Sequence, residues 1–147
     1  MKRTINITGI LLCCLLLLGT ACNKTPETVK PEDMLVTYLT SEAGNRVWRI
    51  SKIYENGTEK PLTVDQITYT KTYTRIPGQS YIGTFTDSDG YKGKWSLPSV
   101  IILSEVINNN PTGDVKIDLT INSLTRNGMD VEYTANGKTI RTVYYAL

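Results

Sequence analysis

From Gly44 onward the chain alternates apolar and polar residues with a period of two, broken at short intervals by turn signals. This pattern most narrowly limits what it can fold into, because successive strand residues point to opposite faces. Arg46 to Tyr54 reads as a strand with Trp48, Ile50 and Tyr54 on one face, closed by Asn56-Gly57. Ile67, Tyr69 and Tyr73 oppose a ladder of Thr68, Thr70, Thr72 and Thr74, a good solvent-side β surface. Tyr81 to Thr86 follows the Pro77-Gly78 turn, and Asp87-Ser88-Asp89-Gly90 turns the chain again. Tyr91, Gly93, Trp95 and Leu97 then oppose Lys92, Lys94 and Ser96. Val100 to Ile107 is a nearly continuous apolar run, followed by the loop Asn108 to Gly113. Val115, Ile117, Leu119 and Ile121 alternate with Lys116, Asp118, Thr120 and Asn122. Asn127-Gly128 precedes Met129 to Tyr133, and Asn136-Gly137 precedes the last strand, Lys138 to Leu147.

About eight short strands joined by tight turns are the connectivity of an antiparallel meander. An open meander would expose two edges and leave each strand's apolar face without cover. The fold expected is therefore all-β, an eight-stranded antiparallel up-and-down barrel, with a sandwich of two four-stranded sheets as the alternative. Gly83 and Gly93, inside neighbouring strands, suit the bends of a curved sheet. Before the strands, Pro31-Glu32-Asp33 followed by Met34, Leu35, Tyr38 and Leu39 predicts one short helix over 31–41.

Composition removes several chemistries. The chain has no histidine, which rules out a Ser-His-Asp or Cys-His nucleophile system and a His-containing zinc site. No cofactor or metal site is expected, and the chain reads as a non-enzyme. Asp87-Ser88-Asp89-Gly90 begins like a calcium loop, but the twelfth position holds Pro98 instead of Glu, so it is read as a turn. Asp118, Asp130 and Glu132 could supply paired-carboxylate chemistry only if buried, and their strand positions place them opposite the apolar face.

The first residues, MKRTINITGILLCCLLLLGTAC, carry Lys2 and Arg3 ahead of an apolar run from Ile10 to Leu18. That run is too short to span a bilayer and reads as a signal peptide over 1–21. Leu18-Gly19-Thr20-Ala21-Cys22 resembles the lipobox of bacterial lipoproteins, in which the Cys is acylated and becomes the mature N-terminus. The alternative is an ordinary secretory signal. Residues 22–33 are polar and Pro-punctuated like a tether, leaving 34–147 as the folded domain. Cleavage at Cys22 leaves 14 basic and 14 acidic residues, a net charge of zero. No basic excess remains to bind nucleic acid, and Cys13 and Cys14 leave with the signal. Asn23 is not the Asp associated with inner-membrane retention in some lipoproteins, so the resemblance points to the outer membrane of a bacterial cell envelope.

Gly44-Asn45-Arg46-Val47-Trp48-Arg49-Ile50, opening the first strand behind a short helix, resembles the start of bacterial lipocalin-like lipoproteins. The resemblance implies an up-and-down barrel and, for many lipocalins, an apolar ligand in its mouth. It also implies an Arg of the last strand packed over the first-strand Trp, a barrel-closing role that falls to Arg141 over Trp48.

The candidate pocket residues are Lys71, Arg75, Tyr69, Tyr73 and Trp95. Lys71 and Arg75 share the parity of Ile67, Tyr69 and Tyr73, so an internal face would carry two cations into the barrel mouth. Each would then need a partner or an anionic ligand, or would snorkel out at a rim. Trp and Tyr combine an apolar body with a polar tip and can line a pocket. Two functions follow: a binding module holding a small apolar or amphipathic molecule, or a barrel filled by its own side chains that contacts another envelope protein. An eight-stranded barrel is wide enough for either.

Overall fold

The computed structural model describes residues 30–147. The expected signal peptide, Cys22 and most of the tether lie outside the described residues. The chain opens with helix α1 (Pro31–Thr40), so the last tether residues form its first turn, and it proceeds through β1 (Asn45–Glu55) and the short β2 (Thr58–Lys60). A one-turn helix α2 (Val64–Thr68) leads to β3 (Thr70–Arg75), β4 (Ile82–Asp87), β5 (Lys92–Ser99) and β6 (Ile102–Ile107). The last strands are β7 (Val115–Leu124), β8 (Gly128–Ala135) and β9 (Lys138–Ala146).

Each strand from β3 to β9 pairs antiparallel with the next, and β1 pairs with both β3 and β9. The sheet thus closes into an eight-stranded barrel, and the sandwich alternative is ruled out. One edge of β1 is shared: Asn45 to Arg49 pair with β3, while Ile53 to Glu55 pair with the extra strand β2. The two-residue turns Asn56-Gly57 and Asn136-Gly137 have positive φ at both positions, the geometry that lets a hairpin follow the twist of its strands.

Two parts of the strand reading need correction. First, the pairing of β1 with β9 shifts register between Ile50 and Lys52. This bulge reverses parity, so Ile53 and Glu55 turn inward and Tyr54 turns out. Second, Ile67 and Thr68 belong to helix α2, not to a strand. Thr63 accepts from the backbone of Gln66, whose side chain in turn accepts from the Thr63 backbone N–H. This reciprocal capping box fixes the turn and leaves Ile67 exposed.

The interior has two halves. One is packed solid by Trp48, Tyr73, Phe85, Trp95, Leu97, Leu103, Leu124 and Met129, with Val36 and Leu39 of α1 stoppering that end. The indole N–H of Trp48 donates to Leu39 O at 3.0 Å, satisfying a carbonyl that the end of α1 leaves free. Gly83 lies directly across from Trp95, and Gly93 across from Phe85. A Cβ on Gly83 would lie 2.1 Å from Thr74 O and 2.4 Å from the Trp95 indole nitrogen. One on Gly93 would lie 1.9 Å from Val106 O. These glycines therefore do more than bend the sheet: the missing side chain at Gly83 makes room for the Trp95 indole, and the one at Gly93 lets the β6 backbone at Val106 come close.

Candidate functional site: a half-open barrel with a charged floor

The other half of the barrel holds a cavity of about 580 Å³. Its walls are aliphatic, from Ile53, Ile117 and Ile140 with Tyr133, and its rim carries Glu55, Lys60, Asp65, Gln66 and Asp89. The deepest residues that six strands contribute are Ile50, Lys71, Glu105, Leu119, Val131 and Tyr144. One step further along each strand, the side chains belong to the packed half.

Lys71 and Glu105 dominate this floor. The strands that carry them, β3 and β6, are separated by β4 and β5, so their contact spans the interior. Lys71 Nζ donates to Glu105 Oε2 at 2.8 Å, and the Tyr73 hydroxyl donates to Glu105 Oε1 in a short hydrogen bond. The Lys71 and Glu105 side chains are 12% and 2% exposed, so this pair is shielded from water on nearly every side. The ammonium also lies 5.0 Å from the centre of the Phe85 ring. Burial is the largest single influence and would depress the Lys71 pKa, but Glu105, with Tyr144 and Asp87, together outweigh it and raise the pKa. Burial, with Glu105 beside it, lifts the Tyr73 hydroxyl well above its ordinary range. Tyr144 is pushed up to about 12, chiefly by burial, with Lys71 pulling it back. Tyr69 donates to Asp87 at 3.0 Å and is also raised, mainly by burial and then by Tyr144 and Asp87. With these raised values the phenols stay neutral at ordinary pH and keep their O–H groups as donors.

The sequence candidates divide between the two halves. Tyr69 and Lys71 line the cavity, and Tyr73 sits immediately beneath its floor, holding Glu105. Trp95 is core, its indole N–H donating to Thr74 O at 3.1 Å. Arg75 lies at the stoppered end and not at the mouth, where its guanidinium reaches Thr37, Thr40 and the Ser41 carbonyl of α1. Arg141 does not close the barrel over Trp48. Trp48 pairs with Ala146, whereas Arg141 pairs with Tyr54 near the opposite end. Arg141 faces outward, stacked 5.0 Å over Tyr54 and forked onto Asp130 at 2.8 and 2.5 Å. The cation over Trp48 is Arg46, at 5.6 Å. Its guanidinium also donates to Tyr38 O and Arg126 O, tying α1 to the β7–β8 turn.

Glu105 was not among the sequence candidates. Its signal was present: it shares inward parity with Leu103 and Ile107 as the one acid inside an apolar run, and such a residue needs a buried cation. Asp118 and Asp130 lie on the outer wall, paired with Ser104 and Lys116 and with Arg141. Among the described residues, no cluster of His, Cys, Asp and Glu is arranged to hold a metal ion. Comparison with protein-family models, with curated proteins and with solved structures gives no match, so the site is read from its own geometry.

Proposed function

We propose that this chain is a non-catalytic binding module of the bacterial cell envelope: a lipocalin-like barrel, tethered by a lipid on Cys22, that holds one small apolar or amphipathic molecule in its open half. The observation that carries this reading is the cavity of about 580 Å³, with aliphatic walls and a few convergent polar groups. Its size and lining fit the usual range for small-molecule sites, roughly 300–1,000 Å³. The stoppered end supports the same reading, because a barrel closed below and open above can admit a ligand from one side only. The anchor and the outer-membrane address rest on Leu18 to Asn23.

Two measurements test it. Native mass spectrometry of the full chain with the neutral fluorophore N-phenyl-1-naphthylamine should show one adduct per chain. Leu119→Trp, which fills the cavity from its floor, should abolish that adduct. No adduct, or one indifferent to Leu119→Trp, would favour the barrel that works through its outer surface and an envelope protein partner. For the anchor, the mature protein should begin at Cys22 and carry acyl mass; an unmodified N-terminus would refute it.

A further inference from the structure

The floor of the cavity also says which head group it accepts. Resting on the reading of the cavity as a ligand site, we propose that it takes an uncharged amphiphile, seated head-down with a hydrogen-bond acceptor on Lys71, and that it rejects the corresponding fatty-acid anion.

Lys71 is the one cation among the deepest lining residues, and its charge is already matched by Glu105 at 2.8 Å. A carboxylate bound to Lys71 would put its oxygens within about 5 Å of the Glu105 oxygens, both shielded from water, where like charges repel strongly. The rim adds a smaller term of the same sign: Glu55 is paired with Lys138 at 2.9 Å, and the remaining acids, Asp65 and Asp89, face one lysine, Lys60. A neutral oxygen avoids both penalties. The ammonium has three N–H bonds, and among the described residues Glu105 is its one hydrogen-bond acceptor. An alcohol, ester or amide oxygen arriving from the cavity can therefore take a free N–H without displacing the carboxylate. The aliphatic walls between floor and rim then cover the ligand's chain. Glu105 acts here as a specificity residue: it leaves Lys71 a donor but cancels its pull on anions.

The test is a head-group series at constant chain length, measured on the full chain by displacement of N-phenyl-1-naphthylamine at neutral pH. Dodecan-1-ol and dodecanamide should bind at least about tenfold more tightly than dodecanoate, a ratio equivalent to about 1.4 kcal/mol. Glu105→Gln, which keeps the side chain's shape and removes its charge, should narrow or reverse that ratio in favour of dodecanoate. Lys71→Met should erase the advantage of dodecan-1-ol over dodecane. The ratio in the unaltered protein decides the matter even if a variant fails to fold. Dodecanoate binding as tightly as the alcohol overturns this inference and leaves the cavity a ligand site. Failure of every member to displace the fluorophore, or failure of the fluorophore to bind, overturns the ligand-site reading itself.

Discussion

Glu105→Leu should be strongly destabilising. The Glu105 side chain is 2% exposed and accepts from both Lys71 and Tyr73. Removing it leaves an ammonium inside the barrel without a counter-charge and a buried phenol without an acceptor. Breaking a buried pair from one side costs about 3–5 kcal/mol, because the surviving charge keeps its desolvation penalty. The orphaned hydroxyl adds to this, while the new leucine's burial and any drift of Lys71 into the cavity subtract, so about 3–5 kcal/mol stands. With an unfolding entropy of roughly 2.1 cal/mol/K per residue over some 120 residues, the melting temperature should fall by about 12–20 °C. The double variant Lys71→Met, Glu105→Leu removes both charges and should recover most of the loss, since a buried pair replaced whole by apolar groups is often near neutral. Thermal and urea unfolding of the four proteins in the cycle measure this directly. A Glu105→Leu loss below about 1 kcal/mol, or a double variant as unstable as the single, would refute the view of the floor as one desolvated, charge-matched unit.

Other consequences can be checked with the same assays. Gly83→Ala should destabilise by about 3 kcal/mol or more, because its Cβ would enter both Thr74 O and the Trp95 ring; tolerance within 1 kcal/mol would contradict the close approach. Trp48→Phe keeps most of the buried ring but loses the bond to Leu39 O, and should cost about 1–3 kcal/mol, read by urea unfolding. Lys71 and Tyr144 both have raised pKa values in the folded state. Their contribution is therefore complete below about pH 10 and is lost as pH rises toward 12 and beyond, so stability should decline over that range and Tyr144→Phe should decline less. Asp130 is held below the usual carboxylate range, first by its hydrogen bond to Arg141, so its contribution is present above about pH 4 and lost as pH falls further. Asp130→Asn should flatten that acid limb of the unfolding curve.

The alternation made the barrel legible, because closure is the one arrangement that hides both the edges and the apolar faces of so many short strands. Inward parity was right for Tyr73, Trp95, Ile117, Val131 and their neighbours, and the helix at 31 was marked by its proline and acids; Lys71, open in the sequence between an internal place and a snorkelling rim position, is internal. The errors arose where local geometry resets the period. A single bulge in β1 exchanges Tyr54 for Ile53, and no residue near Ser51 advertises it. The capping box Thr63-Val64-Asp65-Gln66 did advertise α2, but the alternation of Ile67 with Tyr69 hid it. At the site, one half of each pairing could be read. A buried Lys71 demanded a counter-charge, yet nothing in sequence spacing joins it to Glu105, three strands away. Arg141 shows the converse: its place near the first strand was right, but alternation puts it on the outer face and register puts it by Tyr54.

If the open half of the barrel is a ligand site resting on Lys71, a ligand bound there must place its head group on that ammonium. A crystal structure of the protein with 12-bromododecan-1-ol tests this most directly, since bromine marks one end of the chain by anomalous scattering. The expected result is a hydroxyl within hydrogen-bonding distance of Lys71 Nζ, the alkyl chain against Ile53, Ile117 and Ile140, and the bromine near the rim at Gln66. An empty cavity, or bromine bound elsewhere on the barrel, would contradict it.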